Sequence, residues 1–216
     1  MGRTGTEAQT REKTETMKYN LKTVFLMIGF ALISNSFAST PVETCKKLFD
    51  NAEYEKALSP CLEAGKSGHL DSQSILGEIY DNKGNSQKTY FWWIRASNSG
   101  YIPARNQLAM KFYYGGSVFG PEEGWRQDYP RAYSIWKRDA VNGHAPAQFM
   151  VAEMHHKGQG VRQDYAEAWA WFTLALDGGY KLATDSLQEM GKKMSRQQKE
   201  DAKRRYQNYK QRLEHR

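Results

Sequence analysis

Residues 127–133 (QDYPRAY) recur 36 residues later in the chain as residues 163–169 (QDYAEAW). Residues 138–143 (RDAVNG) and 174–179 (LALDGG) fall into the same register. Self-similarity at a fixed period of a few tens of residues is typical of arrays in which one small structural unit is repeated. The sequence therefore predicts a repeat architecture in which each unit packs against its neighbours.

The same register extends towards the N-terminus and is marked by glycines, small residues and bulky residues. Glycine ends a helix readily because it adopts the left-handed conformation, and a spacing of four residues is helical. Each unit is therefore predicted to be two amphipathic helices joined at a glycine. Aromatic residues crowd 90–93 and 169–172, which predicts helices buried around most of their circumference. The aligned positions are Gly68, Gly100, Gly143 and Gly179; Ala57, Thr89, Ala132 and Ala168, each followed by a bulky residue (Leu58, Tyr90, Tyr133 and Trp169); and, after each glycine, Ser72 with Leu76, Ala104 with Leu108, Ala147 with Val151, and Ala183 with Leu187.

The most regular copy of the repeat has Ala147, Val151, Ala152 and Met154, followed by Gly158, Gly160, Val161, Asp164, Ala168, Trp171 and Phe172. This pattern resembles the Sel-one-like repeat, a relative of the tetratricopeptide repeat, and the resemblance covers roughly residues 54–190. Earlier copies are looser, and Thr89 stands where the pattern has alanine. The resemblance implies a scaffold or adaptor, often in exported bacterial proteins. It also implies an all-α fold, a right-handed α-solenoid with about four helical-pair units over residues 41–190.

Residues 191–216 form a basic end of the chain, with ten Lys or Arg against three Asp or Glu, whereas residues 39–190 are nearly neutral. Ser195 followed three residues later by Gln198 is typical of a helix N-terminus. We expect a basic capping helix that covers the last unit and keeps a polar outer face, as terminal repeats require. Its apolar stripe consists of Ala202, Tyr206, Tyr209 and Leu213.

Residues 17–38 read as a signal peptide, with two early lysines, the apolar run 24–33 and a small-x-small cleavage pattern at 36–38. A transmembrane anchor is the alternative, but the run has about half of the ~20 apolar residues that cross a bilayer as a helix. We expect cleavage near Ala38, a periplasmic or secreted mature chain, and no transmembrane span in it. Residues 1–16 precede the signal and are expected to be a non-native upstream extension.

The chain has two cysteines, Cys45 and Cys61. An exported chain meets an oxidising compartment, in which thiols tend to pair. Residues 49–53 lie midway between two helix-like stretches, and residues equidistant from the turn of a helix pair face each other. The sequence therefore predicts a disulfide bond, and two free buried thiols are the alternative.

One short motif points to catalysis. Ser134 and Lys137 match S-x-x-K, in which a lysine lowers the cost of deprotonating a serine. They define the alternative function, a penicillin-binding or peptidoglycan-directed hydrolase. The companion motifs S-D-N and K-T-G are absent from the sequence. Chance on a helix surface explains so short a match better, and we expect no enzyme.

Metal and stacking motifs are equally weak. Glu153 and His156 form a single E-x-x-H pair, whereas a di-iron bundle needs two such pairs and two further glutamates, so we expect no metal and no cofactor. His155 aligns with Tyr80 and Phe112, which favours inward packing over metal ligation. The helical register favours core packing over a base- or sugar-stacking platform for four tryptophans. These are Trp92, Trp93, Trp136 and Trp171.

The leading hypothesis is a scaffold that holds a protein partner from the cell envelope on the inner face of its first-helix row. An exported chain meets no nucleic acid, and the basic residues 203–205 are candidates for contact with anionic envelope polymers. Positions six, ten and thirteen residues after each glycine skip the packed positions of the repeat. They nominate Ser74, Glu78, Asn106, Met110, Tyr113, Phe149, Glu153 and His156.

An insertion adds further candidates. The step from the second unit to the third is 43 residues rather than 36, and the surplus falls in residues 115–126. Insertions in repeat arrays map to loops on one face, often the binding face. Val118, Phe119 and Trp125 are therefore candidate partner-binding residues, with packing back onto the array as the alternative.

Overall fold

The computed structural model describes residues 39–115 and 125–215 of the chain. The expected signal peptide and upstream extension, and the candidates Val118 and Phe119, lie outside these residues. The described residues form ten α-helices and no β-strand, which confirms the all-α class. In chain order the helices are α1 Pro41–Asp50, α2 Tyr54–Lys66, α3 Leu70–Asn82, α4 Ser86–Asn98, α5 Ile102–Tyr114, α6 Tyr129–Ala140, α7 Ala145–Lys157, α8 Tyr165–Asp177, α9 Ala183–Lys193 and α10 Arg196–Glu214. From α1 to α9, each helix packs against the next one along the chain.

The glycines that the repeat register aligns lie in the turns after α2, α4, α6 and α8; below, the helix that follows such a glycine (α3, α5, α7) is called a first helix, and the helix that precedes one (α2, α4, α6, α8) a second helix. These glycines all have positive φ, between 86° and 97°: Gly68, Gly100, Gly143 and Gly179. The residue after each glycine donates its backbone N–H to the carbonyl five residues back, as His69 does to Ala64 at 3.1 Å and Tyr180 to Ala175 at 2.9 Å. This Schellman arrangement satisfies carbonyls that a helix end otherwise leaves unpaired. The predicted glycine turns between helices are therefore confirmed.

A buried layer runs through the second helix of each unit. The aligned small residues of the second helices are fully buried, and the side chains one turn later fill the layer: Cys61, Trp93, Trp136 and Phe172. The aromatic residues at 90–93 and 169–172 predicted helices that are buried around most of their circumference. That expectation was wrong in α4, where Tyr90 is 38% exposed and Phe91 is 51% exposed. One step along a helix turns the side chain by about 100°, which carries these rings out of the layer.

A buried polar contact ties the first helix of a unit to a neighbouring helix. Gln73 donates from Nε2 to a backbone carbonyl of α2 at 2.9 Å, and Gln148, at the same repeat position, donates to one of α6 at 3.2 Å. Arg105 occupies this position in α5 and instead forms a buried ion pair with Asp139 of α6, with Nη2 and Oδ1 2.7 Å apart. Removal of one partner would leave a buried charge uncompensated, so this pair holds α5 and α6 together.

The two ends of the array are closed differently. Cys45 of α1 and Cys61 of α2 form the predicted disulfide, with Cα atoms 4.7 Å apart and both residues buried. At the other end, α10 begins with the predicted capping box between Ser195 and Gln198 and packs along α8. Its apolar stripe faces the array, and a Cβ at Gly143 would lie 3.7 Å from Cδ2 of Leu213. The capping helix therefore covers α8 and reaches the turn between α6 and α7.

Candidate protein-binding surface

The first helices of three successive units, α3, α5 and α7, follow one another as a row. Helix α3 contacts α5, and Nζ of Lys111 in α5 lies 2.7 Å from a carboxylate oxygen of Asp81 in α3. The phenol of Tyr113, near the end of α5, donates to the side chain of Gln159, just beyond α7. We call the accessible side of this row the first-helix face. Its residues are Glu78, Met110, Tyr114, Phe149, Glu153 and His156.

Most of the side chains nominated from the sequence lie on or beside this face, but two do not. Glu78, Asn106, Met110, Phe149, Glu153 and His156 are half-buried. Ser74 is buried beside Trp93, whose indole N–H donates to the Ser74 carbonyl at 3.1 Å. Tyr113 is also buried, and its ring packs edge-on against Trp136 with centroids 5.5 Å apart. Ser74 and Tyr113 are therefore packing residues, which corrects the predicted set, and partner binding by the others stays a prediction.

Tyr114 is the residue of this face that the repeat register missed. It is 64% exposed, and its ring meets that of Tyr113 edge-on at 4.9 Å. The signal in the sequence was the pair of adjacent tyrosines at the end of a helix. Because neighbouring helical residues point about 100° apart, one ring of such a pair faces inward and the other faces solvent. Counting from Gly100 selected the wrong member.

Carboxylates flank the apolar part of the first-helix face. Burial raises the pKa of Glu78, and the nearby carboxylates of Asp71 and Asp81 raise it further. Glu153 pairs with Lys157 one turn later, with Oε2 and Nζ 2.5 Å apart. The hydrogen bond to Glu153 is the main reason that the pKa of Lys157 is raised. The face thus carries acidic groups at the α3 end and an ion pair beside the exposed Tyr114 ring.

Phe149 gives this face its apolar centre on α7. Its ring centroid lies 5.2 Å from that of Phe172 in α8 and 5.0 Å from that of Tyr180 beyond α8. The ring of His156, two helical turns further along the face, is tilted against that of Tyr165 with centroids 5.7 Å apart. These aromatic contacts hold both side chains in fixed positions at the surface, so little rotamer freedom remains to be lost when a partner binds.

Trp125, the described member of the inserted segment, packs on the array. Its ring centroid lies 5.6 Å from that of Tyr90 in α4 and 5.3 Å from that of Phe112 in α5. It is half-buried between the core cluster that contains Trp93 and the cluster that contains Phe112 and Trp136. The alternative of packing back onto the array therefore describes Trp125 in this structure, and a binding role for it stays untested.

The hydrolase alternative depends on Ser134 and Lys137, whose side chains face different neighbours. The hydroxyl of Ser134 donates to the Arg131 carbonyl at 2.8 Å, on the side of α6 that faces α4. The ammonium of Lys137 lies 4.1 Å from the centroid of Trp171 in α8. Burial lowers the pKa of Lys137, while Glu167 acts in the opposite direction. The structure does not bring this serine and lysine together as nucleophile and base.

His155 and, in the basic C-terminal run, Arg205 serve packing. His155 accepts or donates a hydrogen bond with the Tyr133 hydroxyl at 3.1 Å, and burial lowers its pKa. Among the described residues, no group of three or more His, Cys, Asp or Glu side chains is placed to hold a metal ion. Arg205 bonds Asp164 at 2.8 Å and Glu167 at 2.9 Å, so it is not free for a polymer. Of the basic residues 203–205, Lys203 and Arg204 are exposed on the outer side of α10 and remain candidates for contact with anionic ligands.

The described helices, stacked in chain order with recurring glycine turns, define an α-solenoid of helix-turn-helix repeats, and solved structures of the same class are similar to it. One is a protective antigen of uropathogenic Escherichia coli that displays an SLR fold, with a TM-score of 0.63 and 26% identity over 74% of this chain and 33% of that chain. Another is a Sel1 repeat protein from Oxalobacter formigenes, with a TM-score of 0.51 and 26% identity over 60% of this chain and 95% of that chain. The expected right-handed α-solenoid is confirmed.

The family model of the Sel1 repeat matches residues 71–101 and 145–180, which contain α3 with α4 and α7 with α8. This match and the similar solved structures support a Sel1-like repeat family for the chain. Protein sel-1 homolog 2 of Mus musculus is 27% identical over 138 residues, which is 64% of this chain and 17% of that protein. The chitin synthase regulator SKT5 of Saccharomyces cerevisiae is 23% identical over 61% of this chain and 19% of that protein. The chain thus spans less than a fifth of these relatives.

Sel1 repeat proteins generally act as scaffolds for protein interactions. In the part of the chain that the structure describes, none of the helices is both long enough and apolar enough to cross a bilayer.

Proposed function

We propose that this chain is an exported scaffold that binds a protein partner through its first-helix face, in the periplasm or elsewhere in the cell envelope. The observation that carries the proposal is Tyr114, an aromatic ring that is 64% exposed. Met110 lies one helical turn before it on α5, and Lys157 of α7 is close enough for the Tyr114 phenol to affect its pKa. Aromatic side chains at the centre of a surface supply much of the binding energy of protein interfaces.

Site-specific photo-crosslinking tests the surface. A benzophenone amino acid is placed at Tyr114 and, as the matched control, at Leu182, which is 66% exposed at the junction of α8 and α9. In intact cells, position 114 is expected to give a discrete crosslinked protein that position 182 does not give. Equal products at both positions would indicate random encounter and contradict the proposal.

A substitution then measures the contribution of this ring. With the crosslinked protein purified, Tyr114→Ser is expected to weaken its binding by about tenfold, which is about 1.4 kcal/mol. The melting temperature should stay unchanged because the ring is mostly in solvent. An unchanged affinity of the crosslinked protein for Tyr114→Ser would show that the first-helix face is not part of the interface.

The compartment is tested separately. The signal pattern at residues 17–38 and the disulfide both support export, because such bonds persist in oxidising compartments. Cell fractionation and N-terminal sequencing should find a chain that begins at Ser39 outside the cytoplasm. A cytoplasmic chain that retains residues 17–38 would contradict export. The first-helix face would still be tested by the crosslinking experiment.

A further inference from the structure

The capping helix α10 shows that an amphipathic helix can lie across the row formed by the second helices α4, α6 and α8, which we call the second-helix row. Tyr209 of α10 stacks on Trp171 of α8 with ring centroids 4.6 Å apart, and Nζ of Lys137 in α6 lies 5.5 Å from the Tyr209 centroid. Glu167 of α8 accepts hydrogen bonds from Tyr209 at 2.6 Å and from Arg205 at 2.9 Å. An amphipathic helix thus lies over α8 and touches α6, with one basic side chain paired to the glutamate of the groove.

The same kind of groove exists one unit earlier. The repeat register relates Lys137 to Ile94, and it relates Glu167 and Trp171 to Arg131 and Ile135. These earlier residues line an open cavity of about 390 Å³ between α4 and α6, which we call the α4–α6 groove. Its lining includes Tyr90, Ile94, Arg131, Ser134, Ile135 and Arg138, above a floor formed by α5. No helix among the described residues covers it.

The charge of the α4–α6 groove is opposite to that of the groove under α10. Arg131 stands where Glu167 stands one unit later, and Arg138 stands where Leu174 does. Both arginines are exposed, and within residues 39–115 and 125–215 neither forms an ion pair, although Arg131 lies over the Phe112 ring at 4.7 Å. The third arginine of the groove, Arg105, is already paired with Asp139.

We propose that the α4–α6 groove binds an amphipathic helix of a partner protein that carries an acidic residue at the position equivalent to Arg205. Its apolar side would cover Tyr90, Ile94 and Ile135. A second copy of α10 is disfavoured, because α10 holds seven basic and three acidic residues and would bring Arg205 against Arg131. This surface lies on the second-helix row, and the proposal stands whether or not the first-helix face binds a partner.

Two synthetic peptides of identical composition test the proposal. Both have the sequence of residues 196–214 with Lys199→Glu and Lys203→Glu at exposed positions, and a third change in each, Arg to Glu, makes the net charge negative. One also carries Arg205→Glu, on the side that faces the groove, and the other carries Arg204→Glu, whose side chain is 81% exposed in α10. In fluorescence anisotropy with the full chain, the Arg205→Glu peptide is expected to bind about tenfold more tightly. Equal or undetectable binding of both peptides would overturn the proposal.

Charge reversal on the protein gives the reciprocal test. Arg131→Glu should weaken the Arg205→Glu peptide by about tenfold and strengthen the peptide that keeps Arg205 by a similar factor. Thermal unfolding confirms that the variant is folded. Peptide affinities that are unchanged by Arg131→Glu would overturn the proposal.

Two further measurements address other occupants. Glu122→Gln with Glu123→Gln should leave the peptide affinity unchanged, whereas a marked gain would identify these residues of the chain as the occupants and overturn the proposal of a separate partner.

Phosphatidylglycerol vesicles should bind equally to the wild-type chain and to Arg131→Glu with Arg138→Glu. Vesicle binding that is lost in this variant, without peptide binding, would assign the groove to a lipid surface instead.

Discussion

Single residues decide how closely the helices of a unit approach each other. At Gly77 of α3, a Cβ would lie 2.1 Å from Cδ1 of Trp93, the large side chain that α4 buries. Gly77→Ala should therefore force the helices apart and lower the free energy of unfolding by about 1–3 kcal/mol. Gly191 of α9 is the matched control, because a Cβ there meets nothing within 4 Å. Gly191→Ala should be neutral or stabilise by up to about 1 kcal/mol. Equal effects in chemical unfolding would refute the close approach.

The disulfide bond is also a feature of single residues, and it stabilises the fold mainly by restricting the unfolded chain. Cys45 and Cys61 are 16 residues apart, and closure of a loop of this size stabilises by about 3 kcal/mol in the chain-entropy model. Reduction should lower the melting temperature of the wild-type chain. Cys45→Ala with Cys61→Ala should already melt at a lower temperature and should not respond to the reductant. An identical response of both proteins would show that the bond contributes nothing.

Among the elements, α10 is held by Glu167, so its attachment should depend on pH. Burial acts to raise the pKa of Glu167, but hydrogen bonds from Tyr209, Arg205 and Trp171 outweigh it and lower the pKa below the ordinary 4.5. A lowered folded-state pKa stabilises the fold above the unfolded-state pKa, and this contribution is lost as the pH falls through the folded-state pKa. Glu167→Gln should therefore destabilise by about 1–3 kcal/mol at pH 7, and less at pH 3. The measurement is urea unfolding at both pH values.

The control for this pH dependence is Glu200→Gln, the same change at an exposed position of α10. It should leave unfolding unchanged at both pH values. A gap between the wild-type chain and Glu167→Gln that stays constant from pH 7 to pH 3 would show that the buried carboxylate is not what attaches α10.

The elements themselves were largely predictable from the sequence, whereas their partners were not. Glycine turns, the Ser195 cap and the four-residue spacing are local signals, and they set helix ends within a few residues. The stripe on α10 showed that the helix is amphipathic but not that it lies on α8 and touches α6, because a stripe does not specify what covers it. The prediction of the first-helix face was wrong at Ser74 and at Tyr113. An error of one residue in the count rotates a helical position by about 100°, which is enough to move a side chain from solvent to core.

At the scale of the whole molecule, a stack of units is stabilised by contacts between neighbours. Each helix from α1 to α8 contacts the next helix along the chain, and direct contacts between more distant helices are few apart from that of α10 with α8. Stability in such an array is close to a sum of unit and interface terms, and a change at one end is felt mainly at that end. Two separate docking surfaces on the two rows fit this construction, because binding on one row need not disturb the other.

Hydrogen exchange can therefore locate the effect of a change at either end. Removal of residues 195–216 uncovers Trp171 and Glu167, so amides of α6 and α8 should exchange faster while those of α1 and α2 stay protected. Cys45→Ala with Cys61→Ala should give the reverse pattern, with faster exchange in α1 and α2 only. Both proteins are compared with the wild-type chain at the same pH and temperature. A uniform rise across all the helices that remain in either variant would mean that the array unfolds as one cooperative unit, and stability could then not be assigned to separate repeats.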